Sequence, residues 1–411
     1  MTGNLEPQSM TRPLDGIRVV ELAQWVLGPS AGALLADMGA EVIKVENRHT
    51  GDGMRGLYQM SHIPVRDAKY NWVWEQTNRS KKSLALDLTQ DVGRQVLHRL
   101  LGTADAFLTN YRLFRLEGWK LMYDDIHNVY PSLVYLQATG WGSKGPDRNS
   151  GAFDYAAFAR SGVMAALGEP EAPPPLCLRA FGDNIGSIVI AYGLMVGLFH
   201  RERTGIGLLI NASLLGGLLQ ASCFDVQNVL ATGQDLPRQS RKKPGNPLIN
   251  TYQTKDGRWI YFVMLQTDRH WHDFCEVLGI EHLEHDPHFA THNDRDENAQ
   301  ELMQIIEDIF ATKTKEEWKN RLAGKNLIYS WVQTYGEVVN DPQAIENGYI
   351  REVDHPTAGR IKMAGFPIQV KGIPVRVDRA PNLGEHTEEL LLELGYSWED
   401  ITNLKDAEVI I

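Results

Sequence analysis

The sequence predicts a doubly wound α/β domain accompanied by a smaller α+β domain. Three observations carry that prediction. Short β runs alternate with helical stretches through the first part of the chain, the alternation stops after Gly142, and a basic, turn-rich stretch at Pro237–Pro247 precedes a second set of elements. Ile17–Leu22 and Glu41–Val45 read as buried strands, with an Ala/Leu-rich helix over Pro29–Met38 between them and Gly39 at its C-terminal cap. Ser83–Leu88 is a third strand. Thr89–Leu101 follows as a helix, with Val92, Val96, Leu97, Leu100 and Leu101 at helical spacing. Asp105–Thr109 and Ser132–Gln137 are further strands around a helix at Glu117–Asn128. Strands separated by helices at this interval imply right-handed crossovers and a largely parallel sheet.

Phe153–Leu167 and Ile185–Glu202 read as helices, joined by a connector, Gly168–Pro175, whose prolines exclude regular structure. Thr251–Leu265 reads as a hairpin turning at Lys255-Asp256-Gly257, and helices fill 268–326. A second hairpin over Arg351–Lys371 and helices at Glu385–Gly395 and Trp398–Leu404 close the chain. The expected division is 1–225 for the N-terminal part of the large domain and 226–330 for linker and small domain. Residues 331–411 are then a second linker and a C-terminal return to the large domain.

The chain has 411 residues, 43% of them hydrophobic and 23% charged, so a packed core is within reach and global disorder is excluded. A formal net charge of -11 argues against a dedicated nucleic-acid binder, which draws its affinity from neutralising phosphates. The widely spaced Cys177, Cys223 and Cys275 form neither a disulfide framework nor a zinc pattern, and fit a reducing compartment. No apolar run of membrane-spanning length is free of charge and punctuation, and Met1–Gly16 lacks the apolar segment of a signal peptide. A cytoplasmic protein is the expectation.

Several motifs lose to simpler readings. Gly51-Asp52-Gly53-Met54-Arg55-Gly56 matches a dinucleotide fingerprint in letters, but it does not sit directly between a strand and an apolar helix. His270, His272, His282, His285, His288 and His292 crowd one region without convergent ligand spacing, and Pro287 interrupts it, so no metal is expected. Arg238, Arg241, Lys242 and Lys243 read as a solvated linker. Trp25, Trp72, Trp74 and Trp141 supply aromatic surface either for a bulky acid or for the core. Serine-hydrolase, P-loop and zincin motifs do not occur.

The run Leu14–Glu46 (LDGIRVVELAQWVLGPSAGALLADMGAEVIKVE) resembles the opening of the class III CoA-transferases, the family of formyl-CoA and carnitine CoA-transferases related to α-methylacyl-CoA racemases. Further matches follow in the family's order. They include Gly51-Asp52 with Arg55, Asn78–Ser83, Ala104–Arg112, Thr139–Gly142 and Phe153-Asp154. Gly182-Asp183, Arg203-Thr204-Gly205, Asp256-Gly257 and Leu383–Thr387 complete the series. The resemblance spans residues 13 to 405. It implies a Rossmann-like large domain built from both chain ends, a smaller domain reached through two linkers, and an interlocked dimer.

It also implies a chemistry. An active-site carboxylate attacks an acyl-CoA thioester, a mixed anhydride forms, and the returning thiolate leaves CoA on the enzyme as a thioester. A second carboxylic acid then collects it. No permanent cofactor or metal is needed; acyl-CoA, for example succinyl-CoA, and an organic acid are the partners. Residues implied at the CoA site are Val26, Arg55, Asn78, Lys81, Lys82, Asn110, Tyr111 and Arg112. The family nucleophile is an aspartate in the connector, where alignment on Gly168 and the prolines places Glu171, two residues after the weaker substitute Glu169.

A glutamate there adds a methylene, and displacement by about 1 Å can cost roughly 100-fold in rate. Either the pocket is rebuilt around Glu171, or the chain is the inactive member of a heteromer with a homologous subunit, as in a benzylsuccinate CoA-transferase. Asp183 matches a family position, or caps the helix near Ile185. The alternative reactions are acyl-CoA racemisation using Asp154, which lacks the usual preceding Gly-His, or CoA binding without chemistry.

Overall fold

The computed structural model describes residues 11–60, 63–65, 69–373, 375 and 377–411. Two compact units divide them. The larger comprises residues up to Met164, Leu176–Gly233 and Pro342–Ile411; the smaller comprises Ala165–Pro175 and Gln234–Asp341. The boundaries therefore fall at 233/234 and 341/342 rather than at 225 and 330. The connector 165–175 also joins the small unit, because linker side chains hold it there.

The large unit opens as β1 (Arg18–Leu22), α1 (Leu27–Asp37), β2 (Glu41–Asn47), α2 (Trp72–Asn78), β3 (Lys82–Leu86) and α3 (Asp91–Leu101). It continues with β4 (Ala106–Thr109), α4 (Leu113–Trp119), α5 (Tyr123–His127), β5 (Val134–Thr139), α6 (Asp154–Arg160), α7 (Phe181–Thr204), β6 (Leu209–Ser213), α8 (Leu214–Ala221) and α9 (Cys223–Thr232). The six strands form one sheet in the order β3-β2-β1-β4-β5-β6, every pair parallel. That order is the doubly wound arrangement, with its reversal between β1 and β4.

Alternation along the strands sorts the core into two layers. Val20, Leu22, Ile43, Val45, Leu84 and Leu86 pack with α3–α5 on one face. Val19, Val42, Ala106, Leu108, Val134 and Leu136 pack with α1, α6, α7 and α8 on the other. Burial on both faces is why these strands read as near-continuous apolar runs. The helix expected over Glu117–Asn128 is two helices instead, because Lys120 adopts a left-handed conformation at φ 55 and stops α4. Of the six strands in this sheet, the one missed by sequence is β6: LINAS is only partly buried at the sheet edge and lacks the strong apolar pattern of its neighbours.

The small unit contains β7 (Ile249–Gln253), β8 (Trp259–Val263), α10 (Thr267–Leu278), α11 (His292–Glu297), α12 (Ala299–Phe310), α13 (Lys315–Leu322) and β9 (Tyr329–Trp331). Its antiparallel sheet runs β9-β8-β7. The hairpin turns at the expected residues, with Gly257 at φ 74. Its core centres on Tyr252, Phe262, Phe274, Phe310 and Trp318, the last two stacked at 4.3 Å.

The chain then returns to the large unit as the hairpin β10 (Ile350–His355) and β11 (Gly359–Ala364), followed by α14 (Thr387–Glu393) and α15 (Trp398–Asp406). Leu390, Leu391, Ile401 and Leu404 enter the layer shared with α3. The His386 N–H donates to Ser83 O at 3.0 Å, fixing this return beside β3. By length and composition α7 matches a membrane span, which the sequence reading did not anticipate. Its Gly186, Ile190, Leu194 and Leu198 nevertheless pack into the large unit.

Candidate active site at the sheet reversal

Chain reversal between β1 and β4 splays the segments that follow these strands and leaves a crevice at their C-terminal ends. A cleft of about 600 Å³ occupies this place. Asn110 bridges the two segments: its Oδ1 accepts from the Gln24 N–H at 2.9 Å, and its Nδ2 donates to Gln24 O at 2.8 Å. Gln24 Nε2 donates to the Tyr111 hydroxyl at 2.7 Å. Burial pushes the Tyr111 phenol up to about 12, so it stays neutral at physiological pH.

Arg112, Arg115 and Arg148 also line the cleft, and none has a carboxylate partner among the described residues. Such guanidinium groups suit phosphate. Asn110, Tyr111 and Arg112 thus stand together on the cleft wall, whereas the other expected CoA residues do not line it. Val26 is buried at the N-terminus of α1. Arg55 makes two 2.8 Å bonds to Glu46 and lies 3.7 Å over the Trp74 ring. Asn78 Oδ1 accepts from Lys81 Nζ at 3.1 Å.

Lys81 itself is buried, reaching Glu21 at 2.8 Å and the carbonyls of Pro29 and Thr77 at 2.7 and 3.0 Å. Burial pushes its amine down to about 8, nearby Lys44 adds to that, and Glu21 opposes it. Lys82 bridges Glu41 and Glu389, each at 2.8 Å. Arg55, Lys81 and Lys82, expected at the CoA site, thus engage in internal ion pairs, and among the described residues the cleft cations without a carboxylate partner are Arg112, Arg115 and Arg148.

Beneath the cleft lies a buried ionic network. Lys44 meets Glu21 at 3.0 Å, Asp52 at 2.9 Å and Ala23 O at 2.8 Å. Burial opposes its charge, but Asp52, Glu21 and Glu46 together hold its affinity for the proton above that of a free lysine. Asp52 Oδ1 accepts from the Trp25 N–H at 3.0 Å. Trp25 sits at φ 67, a left-handed conformation that costs a bulky residue on the order of 1–3 kcal/mol unless its surroundings impose it. A Cβ on Gly53 would lie 2.7 Å from Trp25 Cζ2, so glycine is required for the ring to settle there.

Among the described residues, the carboxylate lining the cleft is Asp183. It lies in the first turn of α7, but it does not cap that helix. Capping falls to Asp154, whose Oδ1 accepts from the Asp183 N–H at 3.0 Å, with further backbone donors at Gly182, Phe181 and Ala180. The approach requires a bare Gly182, since a Cβ there would lie 2.7 Å from Asp154 Oδ1. Asp183 is thereby left free to face the cleft. Burial, assisted by the Asp154 charge, pushes its carboxyl up to about 7. The helix expected near Ile185 starts earlier, at Phe181, which is why a reading of Asp183 as cap misplaces its role. The signal available in the sequence was Gly182-Asp183 ahead of a long apolar helix.

Glu171 belongs to the small unit, in an exposed stretch of the connector. Arg238 ties that connector to the linker by donating to Ala165 O at 2.7 Å and Ala172 O at 2.6 Å. Glu169 accepts from Ser240 Oγ at 2.6 Å and from the Arg241 N–H at 3.0 Å, which lowers its pKa. Among the aromatic candidates, Trp25 lines the cleft, Trp74 is buried with Nε1 donating to Pro381 O, and Trp141 donates to Gly151 O. The histidines separate onto different partners: His270 on Asn326 O, His272 on Glu284 and His292 on Thr267. His272, Asp273 and Glu276 have ligand atoms within 4.8 Å of one another among the described residues, two of the three exposed, and carry no further sign of a metal site.

The family model for CoA-transferase family III matches residues 14–387. The chain belongs to CoA-transferase family III. It is 32% identical to the cinnamoyl-CoA:phenyllactate CoA-transferase of Clostridium sporogenes, over 98% of this chain and 99% of that one. It is 31% identical to the (R)-2-hydroxy-4-methylpentanoate CoA-transferase of Clostridioides difficile, over 97% and 99%. A solved CAIB/BAIF family protein from Brucella suis superposes with a TM-score of 0.82 at 28% identity, covering 94% of this chain and all of that chain. Asp183 and the three arginines line one cleft.

Proposed function

We propose that this CoA-transferase moves CoA from an acyl-CoA to a carboxylic acid through a thioester on Asp183. The single observation that carries the assignment is that Asp183 is the carboxylate lining the cleft at the sheet reversal, with its pKa raised to about 7 by burial. Ionised Asp183 attacks the thioester carbonyl, giving a mixed anhydride and CoA thiolate. The thiolate attacks the aspartyl carbonyl, releasing the donor acid and leaving CoA on Asp183. The acceptor carboxylate then attacks that thioester, and the expelled thiolate takes the acceptor's acyl group from the second anhydride. Each step exchanges one acyl bond for another, and Asp183 ends as it began. Arg112, Arg115 and Arg148 would hold phosphate in place while this occurs.

The nucleophile thus moves in our reading from Glu171 to Asp183, and a degenerate site need not be invoked. Asp154 is engaged by the backbone donors of α7, which argues against its service as a racemase base. The names of the relatives favour a 2-hydroxy or aryl-substituted acid as one substrate, with succinyl-CoA kept as a candidate donor. Incubation with acyl-CoA followed by hydroxylamine or borohydride should label Asp183, as read by peptide mass spectrometry. Label on Glu171 would return the nucleophile to the small unit; label on neither would overturn the covalent route.

We also propose that the enzyme assembles with a second copy of itself or a homologous subunit. Ile188, Tyr192, Met195 and Phe199 lie along one side of α7 and are exposed in the isolated chain. A surface of this kind fits an obligate interface. Sedimentation should give a particle of two chains, and Tyr192→Glu with Phe199→Glu should shift it toward single chains.

A further inference from the structure

We infer that Trp25 and Phe153 form an aromatic wall that selects acyl groups bearing an aromatic ring. The inference rests on the assignment of Asp183 as the nucleophile, because it places the acyl group beside that residue. Trp25, Phe153 and Asp183 line the same cleft. Phe153 directly precedes Asp154, whose carboxylate accepts from the Asp183 N–H at 3.0 Å, so Phe153 stands next to the reacting centre. Trp25 meets Phe153 edge to face, with centroids 6.1 Å apart and planes at 83°. That geometry uses one ring edge against one ring face and leaves further aromatic surface for a third ring.

Both rings keep substantial surface open, Trp25 at 40% exposure and Phe153 at 68%. A tryptophan left this accessible could settle elsewhere if its backbone were relaxed. Instead it is held at φ 67 by Asp52, which is itself fixed by Lys44, over a glycine that makes room for the indole. Strain kept in place by a buried network marks a presented surface rather than a packing remnant. A ring on the acyl chain would cover this surface; a short acyl chain would leave it wet.

Binding of two inert thioethers tests the wall independently of turnover. S-(3-phenylpropyl)-CoA and S-ethyl-CoA are titrated into the enzyme by calorimetry. The wild type should prefer the phenyl compound by at least about tenfold, the scale of hydrophobic-pocket discrimination. Phe153→Ala, at an exposed position, should bring the two affinities within about threefold while leaving S-ethyl-CoA nearly unchanged. Trp25→Gly, which tolerates the backbone conformation, should do the same; should it fail to fold, Phe153→Ala alone decides. Equal affinities in the wild type, a preference that survives Phe153→Ala, or no binding of either compound would overturn the wall. Because neither compound can acylate the enzyme, these results stand apart from the labelling of Asp183: label without aromatic preference would sink only the wall, and preference without label only the nucleophile.

Discussion

Asp183→Asn should abolish CoA transfer, by roughly a thousandfold or more, while changing acyl-CoA affinity by only about a few-fold, because on the proposed mechanism the substitution keeps volume and removes the nucleophilic oxyanion. In the wild-type enzyme the same group should set the pH profile. Asp183 ionises at about 7, so kcat/KM for the donor should climb with pH below that value and level off above it. Stability should move the other way. Between the ordinary carboxylate range near 4 and about 7, folded Asp183 keeps a proton that the unfolded chain releases, so stability falls as pH rises through this window. Asp183→Asn removes the buried charge and should gain roughly 1–3 kcal/mol at pH 8, a figure reduced for the group's partial solvent access, with the gain vanishing below about pH 4. A variant that is inactive but no more stable at pH 8 would contradict the burial of this carboxylate. Retained transfer would remove it from the mechanism.

Lys44→Met should lower the unfolding free energy by about 3–5 kcal/mol in a urea titration, because it strips a cation from buried Glu21 and Asp52. The damage should extend to the cleft, since Asp52 holds the backbone of Trp25. Adding Asp52→Asn to Lys44→Met should cost less than the sum of the two single changes, as one uncompensated charge is then removed with its partner. A loss below about 1 kcal/mol for Lys44→Met would mean that water reaches the network and screens it.

Where local pattern carries the information, the sequence was sufficient. The strands at Arg18–Leu22, Glu41–Asn47 and Ala106–Thr109 are apolar because both sheet faces are covered, and the helices between them leave a periodic trace. The hairpin at Asp256-Gly257 and the C-terminal helices were equally local. Edge strand Leu209–Ser213 escaped because its half-exposed, polar-containing pattern differs little from a loop. The ordered motifs also determined the family, and with it the need for a carboxylate and for cations.

Which residues are placed to meet that need is legible only in three dimensions. Lys81 and Arg112 are both motif cations, yet Lys81 is neutralised by Glu21, 60 residues earlier, while Arg112 opens onto the cleft. Asp183 and Glu171 are both carboxylates near the helix start. Asp154, 29 residues upstream, takes over the capping of α7 and frees Asp183 to face the cleft, whereas Glu171 remains exposed in the small unit. Spacing along a chain reports the residues that share an element. A charge's availability depends on which distant groups fold against it, because Coulombic pairing and desolvation act through space and take no account of sequence order.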